Sequence, residues 1–330
     1  MNTSGRIFRI SVFGESHGPA VGILIDGCPP GIRVNEEILL KDIDRRRSGS
    51  RGTTPRKEYD MPEILSGVYN GMSTGAPIMI MTRNSDTRSS DYNIFSDIPR
   101  PGHADMVAVQ KYKGYADSRG GGHFSGRLTW GMVVAGSVAR QLIKPAEVSA
   151  RLISAGGNTD IAAEVDKAMK EGDSVGGLIE CVARDIPAGL GEPLYYSTES
   201  AISRLVMSIP AVKGIEFGSG FRAPAMRGSE HNDPIINAEG KTAGNNAGGV
   251  NGGITNGNDI IIRVAVKPTS SISREQKTYN IAKKEMDTLN IEGRHDACIA
   301  LRMPVIIESA VALALADLTL INRAVYGGDK

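Results

Sequence analysis

Apolar residues fall at two different spacings along this 330-residue chain, and the switches between them outline its elements. Ile- and Val-rich runs at 7–13 and 21–26 predict two short strands, joined by the loop Gly14-Glu15-Ser16-His17-Gly18-Pro19. Asn35 as N-cap, Glu36 and Glu37 behind it, Leu39 and Ile43 four apart, and Arg45 to Arg47 ahead of Gly49 predict a helix with a strongly basic last turn. Leu128, Met132, Ala135, Ala139 and Leu142 recur at helical spacing, so the Gly120-Gly121-Gly122 triplet is expected to feed a helix N-terminus. Residues 159–171, stopped by Gly172, predict an amphipathic helix, 178–183 a strand and 197–208 another helix. A strand is predicted at 260–266, and Pro304 opens a buried C-terminal helix. Residues 274–292 fit a helix and a strand equally well, whereas 48–62 and 83–105 predict loops long enough to be functional. No repeat or linker divides the chain. The expected fold class is α+β, with one domain over residues 1–330.

Composition narrows the function. Lys and Arg number 38 against 37 Asp and Glu, so no overall field favours nucleic acid or a membrane surface. The most apolar segment, 305–320, is interrupted by Glu308, Ser309 and Asp317 and reads as core. Arg6 and Arg9 break the apolar N-terminal stretch, and Cys28, Cys181 and Cys298 are an odd number without CxxC spacing. These features predict a cytoplasmic protein with free thiols. Glycine, at 40 residues, is the outlier and implies many tight turns or close approaches to ligand.

Several loop motifs bear reactive groups. His17 between Gly14 and Gly18 fits an acid–base residue on a close-approach backbone, or a turn cap. Arg45, Arg46, Arg47, Arg51, Arg56 and Lys57 suit a small polyanion, or a solvated charge run. His103 with Asp105 two residues on fits catalysis, a metal ligand or a loop hydrogen bond. Arg119 to Arg127, holding the glycine triplet, His123, Phe124 and Ser125, suits a phosphate cradle or a tight structural turn. Lys267-Pro268-Thr269-Ser270-Ser271 and Arg294-His295-Asp296 add hydroxyls, cations and a carboxylate. Together they predict histidine acid–base chemistry on a small phosphorylated or polycarboxylate substrate. A metal-dependent phosphatase built on His17, His103 and Asp296, and a non-catalytic polyanion binder, are the competing readings.

In order along the chain, the segments 14–31 (GESHGPAVGILIDGCPPG), 44–57, 83–91 (RNSDTRSSD), 100–105 (RPGHAD), 119–127, 171–191, 208–214, 267–271 and 293–308 resemble the chorismate synthase family. The resemblance implies a single-domain β-α-β sandwich with long functional loops, assembled as a homotetramer. It implies reduced FMN as cofactor, reduced either by NADPH on this chain or by an outside supply, and no metal. The implied reaction is the 1,4-elimination of phosphate from 5-enolpyruvylshikimate-3-phosphate. By the same resemblance His17 protonates the leaving phosphate and His103 is an acid beside the flavin, while Asp296 assists at flavin N5 with Ser16 and Ser125. Arg46 and Arg51 match positions for the reduced nicotinamide nucleotide and are equally suited to hold substrate. His123, Phe124, Ser125, Pro210, Ala211, Gly252, Lys267, Pro268, Thr269, Ser270, Ser271 and Arg294 match flavin contacts. This chain departs from many relatives in carrying His123-Phe124 and Pro210.

Overall fold

The computed structural model describes residues 2–54, 58–85, 94–291 and 295–327. The first sheet holds β1 (Thr3–Ser4), β2 (Arg9–Gly14), β3 (Ala20–Asp26), β4 (Glu63–Ser66) and, past the small hairpin β5 (Val68–Tyr69)/β6 (Met72–Ser73), β7 (Ile78–Arg83), in the order β1-β2-β3-β7-β4. After β3 the chain forms helix α1 (Glu36–Arg46), and after β7 come α2 (Asp105–Tyr112) and α3 (Thr129–Leu142). The second sheet takes β8 (Glu147–Ala155), β9 (Gly177–Arg184), β10 (Val212–Phe217) and β13 (Ile260–Val266) in the order β10-β13-β9-β8. Helices α4 (Ile161–Glu171), α5 (Thr198–Val206) and α6 (Gly228–His231) and the hairpin β11 (Val250–Asn251)/β12 (Ile254–Thr255) lie along its connections. The chain closes with the hairpin β14 (Gln276–Asn280)/β15 (Glu285–Leu289) and α7 (Pro304–Tyr326).

Both large sheets are antiparallel, and each turns one face inward. Val12, Ile23, Ile80 and Ile64 pair in one cross-strand row, while Leu152, Ile179, Val264 and Ile215 form its counterpart in the second sheet. The period of two places these residues on one face, where they pack on helices. Helix α3 lies on β2, β3 and β7, α7 lies on β8 and β9, and the two helices pack on each other. The result is a layer of helix between two sheets, the expected sandwich. Two glycines of α3 permit the close approach. A Cβ at Gly136 would stand 2.3 Å from Ser309 Cβ, and one at Gly131 would stand 3.1 Å from Gly22 O.

Asn35 and Gly172 act as expected, Asn35 Oδ1 accepting from Ile38 N and Gly172 ending α4 at φ 65°, whereas α4 starts at Ile161 rather than 159, with Asp160 as its N-cap accepting from Ala163 N. Helix α7 is long and apolar enough to cross a membrane, but 83% of its most apolar window is buried in this core. Its two carboxylates have partners. Glu308 receives both Arg45 guanidinium ends at 2.7 Å. Asp317 accepts the backbone N–H groups of Arg6, Ile7 and Phe8 at 2.8–3.0 Å. Asp317→Ala leaves three amides without an acceptor, and we expect it to destabilise the protein by about 3 kcal/mol, read from urea unfolding. A loss below ~1 kcal/mol would show that water replaces the carboxylate.

The three cysteines are free and buried, and burial pushes each thiol up from its ordinary range. The segment with two possible readings, 274–292, is the hairpin β14/β15, turned at Lys284 with φ 60°.

Candidate active site

Loops from both sheets and from the helix ends converge on one cleft of about 1210 Å³. Its wall includes Arg46 at the end of α1, Asp60, His103, the loop 123–127, Pro210 and Ala211, Lys267 to Ser271, Asp296 and Arg302. Five Arg and Lys side chains (Arg46, Arg47, Arg127, Lys267, Arg302) face three carboxylates (Glu58, Asp60, Asp296), so a molecule with little net charge carries a locally cationic cleft.

The glycine triplet shapes one wall. Gly120, Gly121 and Gly122 stand at φ 61°, 79° and 53°, a left-handed run that side chains resist. A Cβ on Gly120 would lie 2.5 Å from His17 Nε2 and 2.9 Å from Ser16 Oγ. The bare backbone is what lets the 14–18 loop close against it, and Ser16 N donates to Gly122 O at 3.1 Å. His17 and Ser16 are both buried directly behind Gly120, which itself lines the cleft. Ser16 Oγ has no hydrogen-bond partner. The triplet does not run straight into a helix. Ser125 Oγ caps a short 3-10 turn, Gly126–Leu128, by accepting from Arg127 N at 3.2 Å, and α3 starts only at Thr129.

Arginine covers that helix start. Arg46 donates through Nε to Thr129 Oγ1 at 3.0 Å and through Nη2 to the carbonyls of Gly126 and Arg127. Asp60 is buried between Arg46 and Arg127, 3.6 Å from Arg46 Nη1 and in an ion pair with Arg127 Nη1. Arg127 Nε donates to Asn84 Oδ1 at 3.0 Å, while its Nη2 is buried without an acceptor.

Opposite, the 99–105 loop is fastened to the turn after β13. Lys267 Nζ and Ser270 Oγ each donate to Gly102 O at 2.8 Å, and Arg100 Nη1 donates to Ser271 Oγ at 3.1 Å. Burial, with the charge of Lys213 beside it, lowers the Lys267 ammonium from its ordinary value. Thr269 Oγ1 is buried and without a partner. His103 lies between these pieces, its Nδ1 2.5 Å from Asp105 Oδ1.

The third wall is Asp296, whose Oδ1 accepts from Thr54 N at 2.9 Å and Arg302 Nη1 at 3.4 Å. His123 and Phe124 stack at 4.3 Å, and Tyr112 meets both edge-on. Ala211 takes φ 73°, and its carbonyl accepts from Lys267 N at 2.9 Å.

The cleft thus brings together Arg46, His103, His123, Phe124, Ser125, Pro210, Ala211, Lys267 to Ser271 and Asp296. Four expected positions stand outside its lining, Ser16 and His17 because they lie buried behind Gly120. Arg51 is largely exposed and pairs with Asp166 at 2.6 Å, and Gly252 turns the β11/β12 hairpin. Arg294 lies outside the described residues. Sequence reasoning gave no individual role to Asp60, Arg100 and Arg302. Arg127 was visible only as a flank of the glycine motif, and Arg302, just ahead of an apolar helix, carries no local signal.

The model of the chorismate synthase family matches residues 8–320. A chorismate synthase of Chitinophaga pinensis is 55% identical over 324 residues, 98% of each chain. One of Korarchaeum cryptofilum is 46% identical over 345 residues, 95% of this chain and 96% of the relative. A crystal structure of a chorismate synthase superposes with a TM-score of 0.75 at 26% identity, covering 97% of this chain and 93% of that one. With the motifs of that family gathered around one cationic cleft, and with relatives this similar over the full length, the chain belongs to the chorismate synthase family and is a lyase.

Proposed function

We propose that this chain binds reduced FMN and 5-enolpyruvylshikimate-3-phosphate together in the cleft and eliminates phosphate to form chorismate, as a cytoplasmic homotetramer. The observation that carries the reading is the size and charge of the cleft. At about 1210 Å³ it exceeds the ~300 to 1,000 Å³ usual for one small ligand, and its wall is cationic. The donor set fits a flavin phosphate and ring. Thr269 Oγ1 and Arg127 Nη2 are buried lining atoms in want of partners, and the His123–Phe124 stack offers an aromatic edge. The flavin contacts expected are His123, Phe124, Ser125, Pro210, Ala211, Lys267 to Ser271, Gly252 and Arg294. Where NADPH reduces the flavin, Arg46 and Arg51 are the expected nucleotide contacts.

Reduced flavin, held by these residues, would supply the transient electron density that eases loss of phosphate and an acceptor for the ring hydrogen, with no net redox change. The protein's part is positioning and proton placement. Arg127 and Lys267 hold anionic oxygens, His17 delivers a proton to the departing phosphate, and His103 keeps a proton beside the flavin. Asp296, fixed by Thr54 N and Arg302, handles the proton at flavin N5 with Ser16 and Ser125. An anaerobic assay in excess chelator tests the reading: phosphate release continues when reduced FMN is supplied and stops without it. Release that needs a metal but no flavin would establish the phosphatase reading instead.

A further inference from the structure

The side chains around His103 define more than its location. Asp105 is the first residue of α2, and its two oxygens divide the donors between them. Oδ2 accepts from Arg100 N at 3.1 Å and Arg100 Nε at 2.8 Å, while Oδ1 accepts from Arg100 Nη2 at 2.8 Å and faces His103 Nδ1 at 2.5 Å. Arg100 is buried, and its other end is fixed on Ser271. Burial alone would raise the Asp105 carboxyl. The hydrogen bonds from Arg100 and His103 outweigh it and hold the group well below the usual carboxylate range. Asp105 is therefore an anion with no proton to share.

An anionic oxygen 2.5 Å from a ring nitrogen requires the hydrogen to be on that nitrogen. Arg100 Nη2 also lies 3.0 Å from Nδ1, but it carries only donors and already points at Oδ1. The remaining ring nitrogen, Nε2, turns to the glycine triplet, 3.8 Å from where a Gly121 Cβ would be, and His103 lines the cleft.

We infer that Asp105, clamped by Arg100, is the positioning residue that fixes His103 with its hydrogen on Nδ1 and presents Nε2 to the cleft for proton exchange. The chemistry resembles the carboxylate that orients the histidine of a serine-protease triad. The inference concerns the ring itself. Only its bearing on turnover rests on the proposed role of His103, in which Nε2 takes up the proton that it then delivers beside the flavin.

Asp105→Asn gives a specific reversal. Two Arg100 donors, N and Nε, converge on the Oδ2 position, so the amide oxygen must occupy it. The NH2 then takes the Oδ1 place and donates to His103 Nδ1, which drives the ring hydrogen to Nε2. Asp105→Glu keeps an anionic acceptor and is expected to retain the native tautomer. Magic-angle-spinning 15N NMR of the ligand-free protein, labelled in its five histidines and assigned with His103→Gln, reads this directly. The expected result, read on the neutral ring, is the Nδ1–H form of His103 in the native protein and in Asp105→Glu, and the Nε2–H form in Asp105→Asn. Turnover of Asp105→Asn is expected to fall by roughly 10²-fold at nearly unchanged KM. An Nε2–H ring in the native protein overturns the inference whether or not the variants fold, and so does an Nδ1–H ring in Asp105→Asn. A tautomer reversal with undiminished turnover would uphold the positioning role and refute the acid role of His103.

Discussion

His17→Ala and His103→Ala are each expected to lower turnover by roughly 10²-fold or more while the protein stays folded. Neither ring is part of the layered core. His17 is buried against Gly120, and His103 is held by the Asp105–Arg100 pair between two loops. Removing either therefore leaves the sheet rows and the α3–α7 contact in place. The two losses should also differ in kind. His17 is proposed to act on the leaving phosphate, so a substrate analogue with a better leaving group should recover the rate of His17→Ala but leave His103→Ala slow. Rapid-quench measurement of phosphate release in both variants checks this. Near-native rates in either one would remove that histidine from the chemistry.

Gly120→Ala is expected to be nearly as damaging, although it adds a single methyl group. At φ 61° the alanine pays about 1 kcal/mol in backbone strain, and its Cβ would stand 2.3 Å from His17 Cδ2 and 2.9 Å from Ser16 Oγ. No real contact is that short, so the imidazole must move. Displacements of about 1 Å in a reacting group can cost roughly 10²-fold, and a loss of that order in kcat is predicted with little change in thermal stability. Gly228→Ala is the control. It has no atom within 4 Å of its Cβ position, and its rate should be native. A Gly120→Ala enzyme with native kcat would mean that the proximity of His17 to the triplet has no part in turnover.

Much of the fold was readable because it is coded locally. The cap at Asn35 and the stop at Gly172 mark helix ends with hydrogen bonds made within a few residues. The strand at 260–266 is too rich in Ile and Val to be anything else. The β14/β15 hairpin was ambiguous because its residues are mostly polar and half-exposed, with only Asn280 and Leu289 buried, and strand pairing rather than periodicity decides it. The sandwich itself came from resemblance, since the close packing of α3 on α7 depends on a glycine and a serine 173 positions apart, Gly136 and Ser309.

The site divides in the same way. Glycine-flanked histidines and basic loops stand out in a sequence. The residues that hold them do not, because Arg100 meets Ser271 across 171 positions and Thr54 meets Asp296 across 242. Asp105 was noted as a neighbour of His103, but only the structure divides its two oxygens between Arg100 and the ring. The glycine triplet was expected to expose a helix start to an anion. Its carbonyl neighbours are instead bound by Arg46, and the left-handed run serves to admit His17 and Ser16.

The central claim is that this cleft carries out an elimination rather than a hydrolysis, with flavin as a catalyst that ends as it began. The most direct test follows chorismate absorbance, inorganic phosphate and the flavin spectrum together in one anaerobic reaction with 5-enolpyruvylshikimate-3-phosphate and substoichiometric reduced FMN. The expected result is chorismate and phosphate in equal amounts over many turnovers, with the flavin still reduced at the end. Phosphate without chorismate, or one flavin oxidised for each product formed, would contradict it.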